Sequence, residues 1–276
     1  MKKTIIHISD LHFHKYPKKF YEWKSKRFLG VANTFFRRAR QFPLYRTKKL
    51  VKQISKMKWD HLVISGDLTQ LSLESEFILA REILDPLLKD ETKVTIVPGN
   101  HDRYVLQNIS KDLFKKYFGN FFGKKKVHTQ EITTDWIIIG WDSAHPNDWL
   151  SSSGTVGRST IVETEKILQS FSEEKSFIIV NHFPLTFPKN WKLNHSHELL
   201  NLQPIRNWIL RFPQIRLYLH GHIHMNWIHN LTRESKNGLI LVNSAASSAL
   251  PFSGQESSFH EIVLEGEKIN IKPILF

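Results

Sequence analysis

Near its start the chain reads Thr4-Ile5-Ile6-His7-Ile8-Ser9-Asp10-Leu11-His12, a short apolar run that stops on an acid and, two residues on, a histidine. The same grammar returns downstream. His61–Ser65 runs into Gly66-Asp67, and Val94–Val97 runs into Gly99-Asn100-His101-Asp102. Phe177–Asn181 is followed by His182, and Arg216–Leu219 by His220-Gly221-His222-Ile223-His224. The early runs are continuously apolar, the form expected of strands covered on both faces.

Further strands are expected at Trp136–Trp141, Leu239–Asn243, Phe259–Leu264 and Lys268–Ile274, and helical patterns at Leu73–Leu88, Ser110–Phe118, Thr164–Ser170 and Leu202–Leu210. Strand and helix alternate, which predicts an α/β core of layered sheets with outer helices. The last three strands follow one another without a helix, which predicts an antiparallel meander in a second sheet. One domain spanning 1–276 is expected, interrupted by an insertion at about 13–49.

The chemistry-bearing residues sit where strands end, and in α/β sheets the carboxyl ends of strands form the ligand crevice. Five such ends supply Asp, Asn and His, the oxygen and nitrogen donors of a borderline divalent metal. Seven donors exceed the needs of one tetrahedral ion and suit a pair sharing a carboxylate. Each block alone has a plainer reading. Gly-Asp after a strand is commonly a turn, and a lone His182 is commonly a core histidine. Gly-His-x-His is stronger, because imidazoles two apart in extended chain point the same way.

Taken in order, Asp-x-His, Gly-Asp, Gly-Asn-His-Asp, His and Gly-His-x-His resemble the signature of the calcineurin-like metallophosphoesterases, from Asp10 to His224. The resemblance implies a four-layer α/β/β/α sandwich of two mixed sheets flanked by helices. It implies that Asp10, His12, Asp67 and His224 hold one metal, and that Asp67, Asn100, His182 and His222 hold the other. The ions implied are two divalent metals, Mn²⁺ first, with Fe or Zn as alternatives. Two such ions about 3.5–4 Å apart activate a water and clamp the phosphoryl oxygens during in-line attack by a bridging hydroxide. The expected activity is therefore metal-dependent hydrolysis of a phosphodiester or pyrophosphate bond. His101, beside Asn100, is the expected catalytic acid or transition-state stabiliser, and Asp102 the group expected to orient it. Arg103 and His14 are candidates for contact with substrate, Arg103 through a phosphate. His7 and His61 read as core or strand-end residues. His195, His197 and Asp142 border the expected pocket.

Composition bounds the rest. The 276 residues include no cysteine, so disulfides and thiolate metal sites are ruled out. The N-terminus is not expected to be a secretory signal, and no stretch approaches the roughly 20 apolar residues of a membrane span. A cytoplasmic protein is expected, peripheral on the inner face of the membrane if its basic segment binds there. The net charge is +13, and between Lys15 and Lys49 twelve Lys/Arg face one acid, Glu22. The remainder is nearly neutral. Within that segment Lys24–Arg40 has helical spacing of Phe28, Val31, Ala32, Phe35, Phe36 and Ala39 beside six basic residues. A basic amphipathic helix with an aromatic face suits an anionic membrane surface.

Ser25-Lys26-Arg27-Phe28-Leu29-Gly30, Asn33 and Arg37-Arg38 also resemble an insertion in the bacterial subfamily of UDP-2,3-diacylglucosamine pyrophosphatase-like enzymes, which implies a nucleotide-linked lipid substrate. The alternative is a cyclic nucleotide phosphodiesterase, since such enzymes share Gly-Asn-His-Asp. Nucleic acid is disfavoured as a partner because the positive charge is interleaved with an apolar face. A non-catalytic scaffold is disfavoured because no donor is missing.

Overall fold

The computed structural model describes residues 2–18, 38–104, 112–123, 126–147, 151–172, 174–189, 191, 197–233, 238–244, 246–251 and 256–276. Along the chain run β1 (Lys2–Ile8), α1 (Leu44–Ile54), β2 (His61–Ile64), α2 (Glu74–Leu84), β3 (Val94–Ile96), α3 (Leu113–Phe118), β4 (Val127–Glu131) and β5 (Trp136–Trp141). There follow α4 (Arg158–Ser170), β6 (Ser176–Val180), α5 (Leu202–Leu210), β7 (Ile215–His220), β8 (Trp227–Leu231), β9 (Leu239–Asn243), β10 (Ser258–Glu265) and β11 (Lys268–Leu275).

The strands form two mixed sheets, in the orders β11-β10-β1-β2-β3 and β4-β5-β6-β7-β9-β8. β1, β2 and β3 run parallel, as do β5, β6, β7 and β9. Side-chain alternation explains the layering. Trp136 and Ile138 of β5 join one core with Ile5, Ile8, Val63 and Ile64 of the first sheet, while Ile137 and Ile139 join a second core with Leu168 of α4 and Ile205 and Ile209 of α5. The first core also takes in Leu50 and Ile54 of α1 and Phe77 and Leu84 of α2. The result is the expected sandwich of two mixed sheets flanked by helices.

The expected closing meander is not formed. β9 lies inside the second sheet, parallel to β7 and antiparallel to β8, and β10 and β11 form a hairpin antiparallel to β1 in the first sheet. Burial separates them: β9 is almost wholly buried and takes an interior position, whereas β11 alternates exposed and half-buried residues as an edge does.

The basic stretch divides. From Leu44 it enters α1, where Thr47, Leu50, Val51 and Ile54 are buried at helical spacing and Lys48, Lys49 and Lys52 are exposed on the opposite face. Those lysines are the solvated side of a core helix. The expected helix Lys24–Arg40 lies outside the described residues up to 37; Ala39–Gln41 form one short helical turn. Among the described residues no helix is long and apolar enough to cross a membrane.

Candidate metal centre

β1, β2 and β3 run parallel in one sheet and β6 and β7 in the other, and the expected donors follow directly from the ends of these strands. The loops are stitched together by backbone hydrogen bonds. Asp10 N–H donates to Gly66 O (3.1 Å), His12 N–H to Asp67 O (3.0 Å) and Gly221 N–H to His182 O (3.1 Å). The Asp10 carboxylate also accepts from the His222 main-chain N–H at 3.2 Å, tying the first donor loop to the last.

One ligand atom from each of Asp10, His12, Asp67 and His224 lies within 4.8 Å of the others, and the same holds for Asp67, His182 and His222. These are the two groups the sequence resemblance implied, with Asp67 in both. Asn100 completes the second, its Oδ1 standing 3.0 Å from His182 Nε2 and 3.0 Å from His222 Nδ1. His12 Nε2 and His224 Nε2 face each other at 3.0 Å, and Asp67 Oδ2 lies 3.7 Å from His12 Nε2 and 3.4 Å from His182 Nε2. Seven converging oxygen and nitrogen donors, most of them fully buried, fit a pair of divalent cations.

The backbone is bent to make this possible. Asp10, His12, Asp67, His222 and His224 all adopt positive φ, between 45° and 75°. Left-handed conformations at residues other than glycine cost about 1–3 kcal/mol each and persist only where surroundings enforce them. Their concentration on five of seven donors marks the strain as belonging to the site.

Glycines complete the packing. A Cβ on Gly99 would overlap the Asp67 carboxylate, and one on Gly221 would overlap Ser9 Oγ and Asp10 Oδ2. Gly221→Ala is therefore expected to displace Asp10 and lower cation affinity about ten-fold or more, as overpacking typically costs about 1–3 kcal/mol. Metal analysis of the folded variant after dialysis checks this. Full wild-type loading would show that the loop yields freely.

Protonation follows the surroundings. Burial opposes charge on Asp67, yet His182, His101 and His12 around it hold its carboxyl well below the usual range. Burial likewise opposes charge on His182, but Asp67 and Asp10 outweigh it and push its pKa up to about 9. Burial pushes His222 down to about 3 and His101 down to about 4. The outer nitrogens of two donors are fixed by main-chain carbonyls: His182 Nδ1 by Ser65 O at 2.8 Å, and His222 Nε2 by His197 O at 2.6 Å. Such partners set ring orientation and tautomer.

His101 belongs to neither donor group. Its main-chain N–H donates to Asp67 Oδ1 (2.9 Å), its ring stands edge-on to His12 with centroids 4.8 Å apart, and its Nδ1 bonds Gln70 O at 2.6 Å. Asp102 therefore does not orient His101 as expected. Its buried carboxylate accepts from Leu68 N (3.2 Å), Thr69 N (2.8 Å), Thr69 Oγ1 (3.1 Å) and Gly99 N (2.9 Å), locking the Asp67 and Asn100 loops together.

Arg103 is also placed differently. Its guanidinium bonds Asp142 at 3.3 and 2.8 Å and Asp112 at 3.0 Å, so two carboxylates occupy the groups expected to meet a phosphate. Asp142 is engaged with Arg103 and Lys126. His14 is half-buried and hydrogen-bonds the main chain of His12. His7 and His61 are core residues, bonded to Ser65 Oγ and Thr95 Oγ1. His197 is exposed and contacts Ser152, and His195 lies outside the described residues.

Two contributions escaped the sequence. Gln70 acts through its carbonyl, which carries no residue-type signal. Arg38, in a run of similar arginines, is brought beside His224 by the turn Ala39–Gln41.

Comparison with known proteins agrees with this geometry. Residues 3–226 match the model of the calcineurin-like phosphoesterase family. A probable cyclic nucleotide phosphodiesterase of Vesicomyosocius okutanii is 28% identical over 210 residues, covering 75% of this chain and 78% of the relative. A probable cyclic nucleotide phosphodiesterase of Coxiella burnetii is 26% identical over 170 residues, 61% of each chain. Among solved structures, a dimetal phosphatase from Danio rerio superposes with a TM-score of 0.68 at 12% identity, covering 98% of this chain and 95% of that one, which is a likeness of fold. The family match spans most of the chain, and this protein belongs to the calcineurin-like phosphoesterases as a metal-dependent phosphohydrolase.

Proposed function

We propose that the chain hydrolyses a phosphodiester bond in a small nucleotide of the cyclic kind, using the two donor groups that share Asp67 and the adjacent His101. The observation that carries this reading is the position of His101. It is pinned through its main chain to the carboxylate common to both groups, while Gln70 O holds Nδ1 and leaves Nε2 for substrate. Bound divalent ions would supply Lewis-acid polarisation of the phosphoryl group and activation of a water. Asp67 sets the spacing between the two groups, and Asp102 sets the loops that carry Asp67 and Asn100. The negative charge of a bound phosphoryl group would offset the burial that disfavours the imidazolium of His101. That form, with Nδ1–H on Gln70 O, would donate Nε2–H to the departing oxygen and pass it the proton, leaving the neutral ring. The names of the relatives support the cyclic substrate. The helix on which the membrane and lipid reading rested falls mostly among residues 24–37, outside the described residues.

A substrate panel with Mn²⁺ tests the proposal, comparing bis-p-nitrophenyl phosphate, cyclic AMP, UDP-2,3-diacylglucosamine and single-stranded DNA. Cyclic AMP and the aryl diester are expected to be cleaved, with activity lost to a chelator and restored by Mn²⁺. Activity that survives exhaustive chelation would sink the metal-dependent mechanism. Cleavage of the lipid nucleotide with cyclic AMP untouched would overturn the substrate assignment.

A further inference from the structure

We infer that Phe183 and Gly154 are positioning residues for the second donor group: the Phe183 ring, seated on Gly154, orients His182 and His222 toward one cation, and disturbing that seat releases this ion while the other stays. The inference rests on the assignment of the two donor groups. Phe183 immediately follows His182 after β6 and is fully buried. Its ring centroid lies 5.2 Å from that of His182, edge-on, and 4.8 Å from that of His222, tilted by 48°. The two imidazoles stand edge-on to each other at 5.0 Å, so the three rings form one closed cluster. Such separations are those of aromatic rings in contact. Gly154 provides the seat. It is buried in the loop between β5 and α4, and a Cβ there would stand 2.2 Å from Phe183 Cε2 and 2.6 Å from Cδ2 and Cζ. Alanine fits only if the ring moves.

The same glycine leads to the outer partner of His222. Gly154 N–H donates to Glu198 O (3.1 Å) and Leu200 N–H to Gly154 O (2.9 Å), a parallel bridge to Leu199. Asn201 adds two bonds to Val156, donating from Nδ2 to its carbonyl (2.8 Å) and accepting its N–H at Oδ1 (3.2 Å). One residue before Glu198, His197 O accepts from His222 Nε2 at 2.6 Å. His222 is therefore fixed at its ring by Phe183 and at its outer nitrogen by His197, and both supports are tied to Gly154.

The first donor group has its own counterpart. Phe42, buried with Ala246 and Ala249, places its ring 4.7 Å from that of His12 and 5.7 Å from that of His224. Both imidazoles that Phe183 meets belong to the second group, and both that Phe42 meets belong to the first. Close-packed interiors transmit strain to what they touch. A methyl at position 154 displaces the enclosed Phe183 ring against His182 and His222, and leaves Phe42, His12 and His224 in place. Two ions that share Asp67 are thus held by separately seated rings.

The test titrates Mn²⁺ into metal-free wild type, Gly154→Ala, Phe183→Leu and Phe42→Leu by calorimetry, with electron paramagnetic resonance read in parallel. Wild type is expected to bind two ions and to give the spectrum of a coupled pair. Gly154→Ala and Phe183→Leu should bind one of the two ions about ten- to hundred-fold more weakly, the range for a lost outer support of a metal ligand. The other ion should keep its wild-type affinity and show the hyperfine pattern of an isolated Mn²⁺. Adding His12→Ala to Gly154→Ala should remove that remaining ion, whereas adding His182→Ala should spare it. Phe42→Leu should show the reverse dependence. Two ions at wild-type affinity in both Gly154→Ala and Phe183→Leu overturn the inference. Equal weakening of both ions also overturns it, because a general loss of stability gives that result. Wild type that binds fewer than two ions overturns the donor-group assignment itself, so the two failures are distinguishable. Should Gly154→Ala not fold, Phe183→Leu reads the same contact without adding volume.

Discussion

Asp67→Ala is expected to abolish hydrolysis and to empty both cation groups together. The Asp67 carboxylate is the one side chain common to both, and it is buried, with Oδ2 3.4 Å from His182 Nε2 and 3.7 Å from His12 Nε2. Oδ1 carries a second duty, accepting the main-chain N–H of His101 at 2.9 Å. Removing the carboxylate therefore deletes a shared ligand and frees the His101 loop. Alanine also meets a backbone at φ 53°, which asparagine tolerates better. Asp67→Asn is the control that keeps shape and hydrogen-bonding capacity while removing charge. Both variants are expected to lose at least two decades of activity, and Asp67→Ala to retain less than one ion per two chains by elemental analysis. An Asp67→Ala protein that keeps one full ion per chain would show that the two groups load independently. Bound cations stabilise only the folded chain, so wild type should also show a lower Tm after chelation, and Asp67→Ala should not respond.

How much of this was legible beforehand depended on the physical origin of each signal. The donor loops were readable because they follow buried parallel strands, whose apolar runs end abruptly at Gly, Asp or His. The edge strands of the second sheet gave no comparable mark. β4 (Val-His-Thr-Gln-Glu) has one apolar residue in five, and β8 exposes Ile228, His229 and Asn230, so neither showed an alternation. The order of the last strands was misread because a lack of helices between strands does not say which sheet each joins. That depends on pairing across the molecule, as when His7 of β1 meets His260 of β10. The roles of Asp102 and Arg103 failed for a related reason. Both lie within two residues of His101 in sequence, but their partners, Thr69 and Asp142, come from other loops. Proximity along the chain found the donors and could not assign their supports.

His101→Ala is expected to lower turnover by roughly 10²–10⁴, the usual contribution of a positioned acid or base, while the protein keeps its full complement of metal. The separation is possible because the two attachments of His101 differ. Its bond to Asp67 Oδ1 is made by the main chain and survives the substitution, so the shared ligand stays in place. Only the ring is lost, with its bond to Gln70 O and its contact with His12. The ring stacks on Tyr104, with centroids 5.3 Å apart, so some local repacking is expected, and His101→Gln keeps part of the volume and a donor. Leaving groups then discriminate the role. An aryl oxygen departs as a stabilised phenolate and needs little protonation, whereas the ribose oxygen of a cyclic nucleotide departs as an alkoxide and needs a proton. If Nε2 serves the departing oxygen, His101→Ala should cost much more on cyclic AMP than on bis-p-nitrophenyl phosphate. An equal loss on both would move His101 from the departing oxygen to the phosphoryl oxygens, where it stabilises charge without transferring a proton. Loss of bound metal would make the ring a ligand, against its placement outside both donor groups.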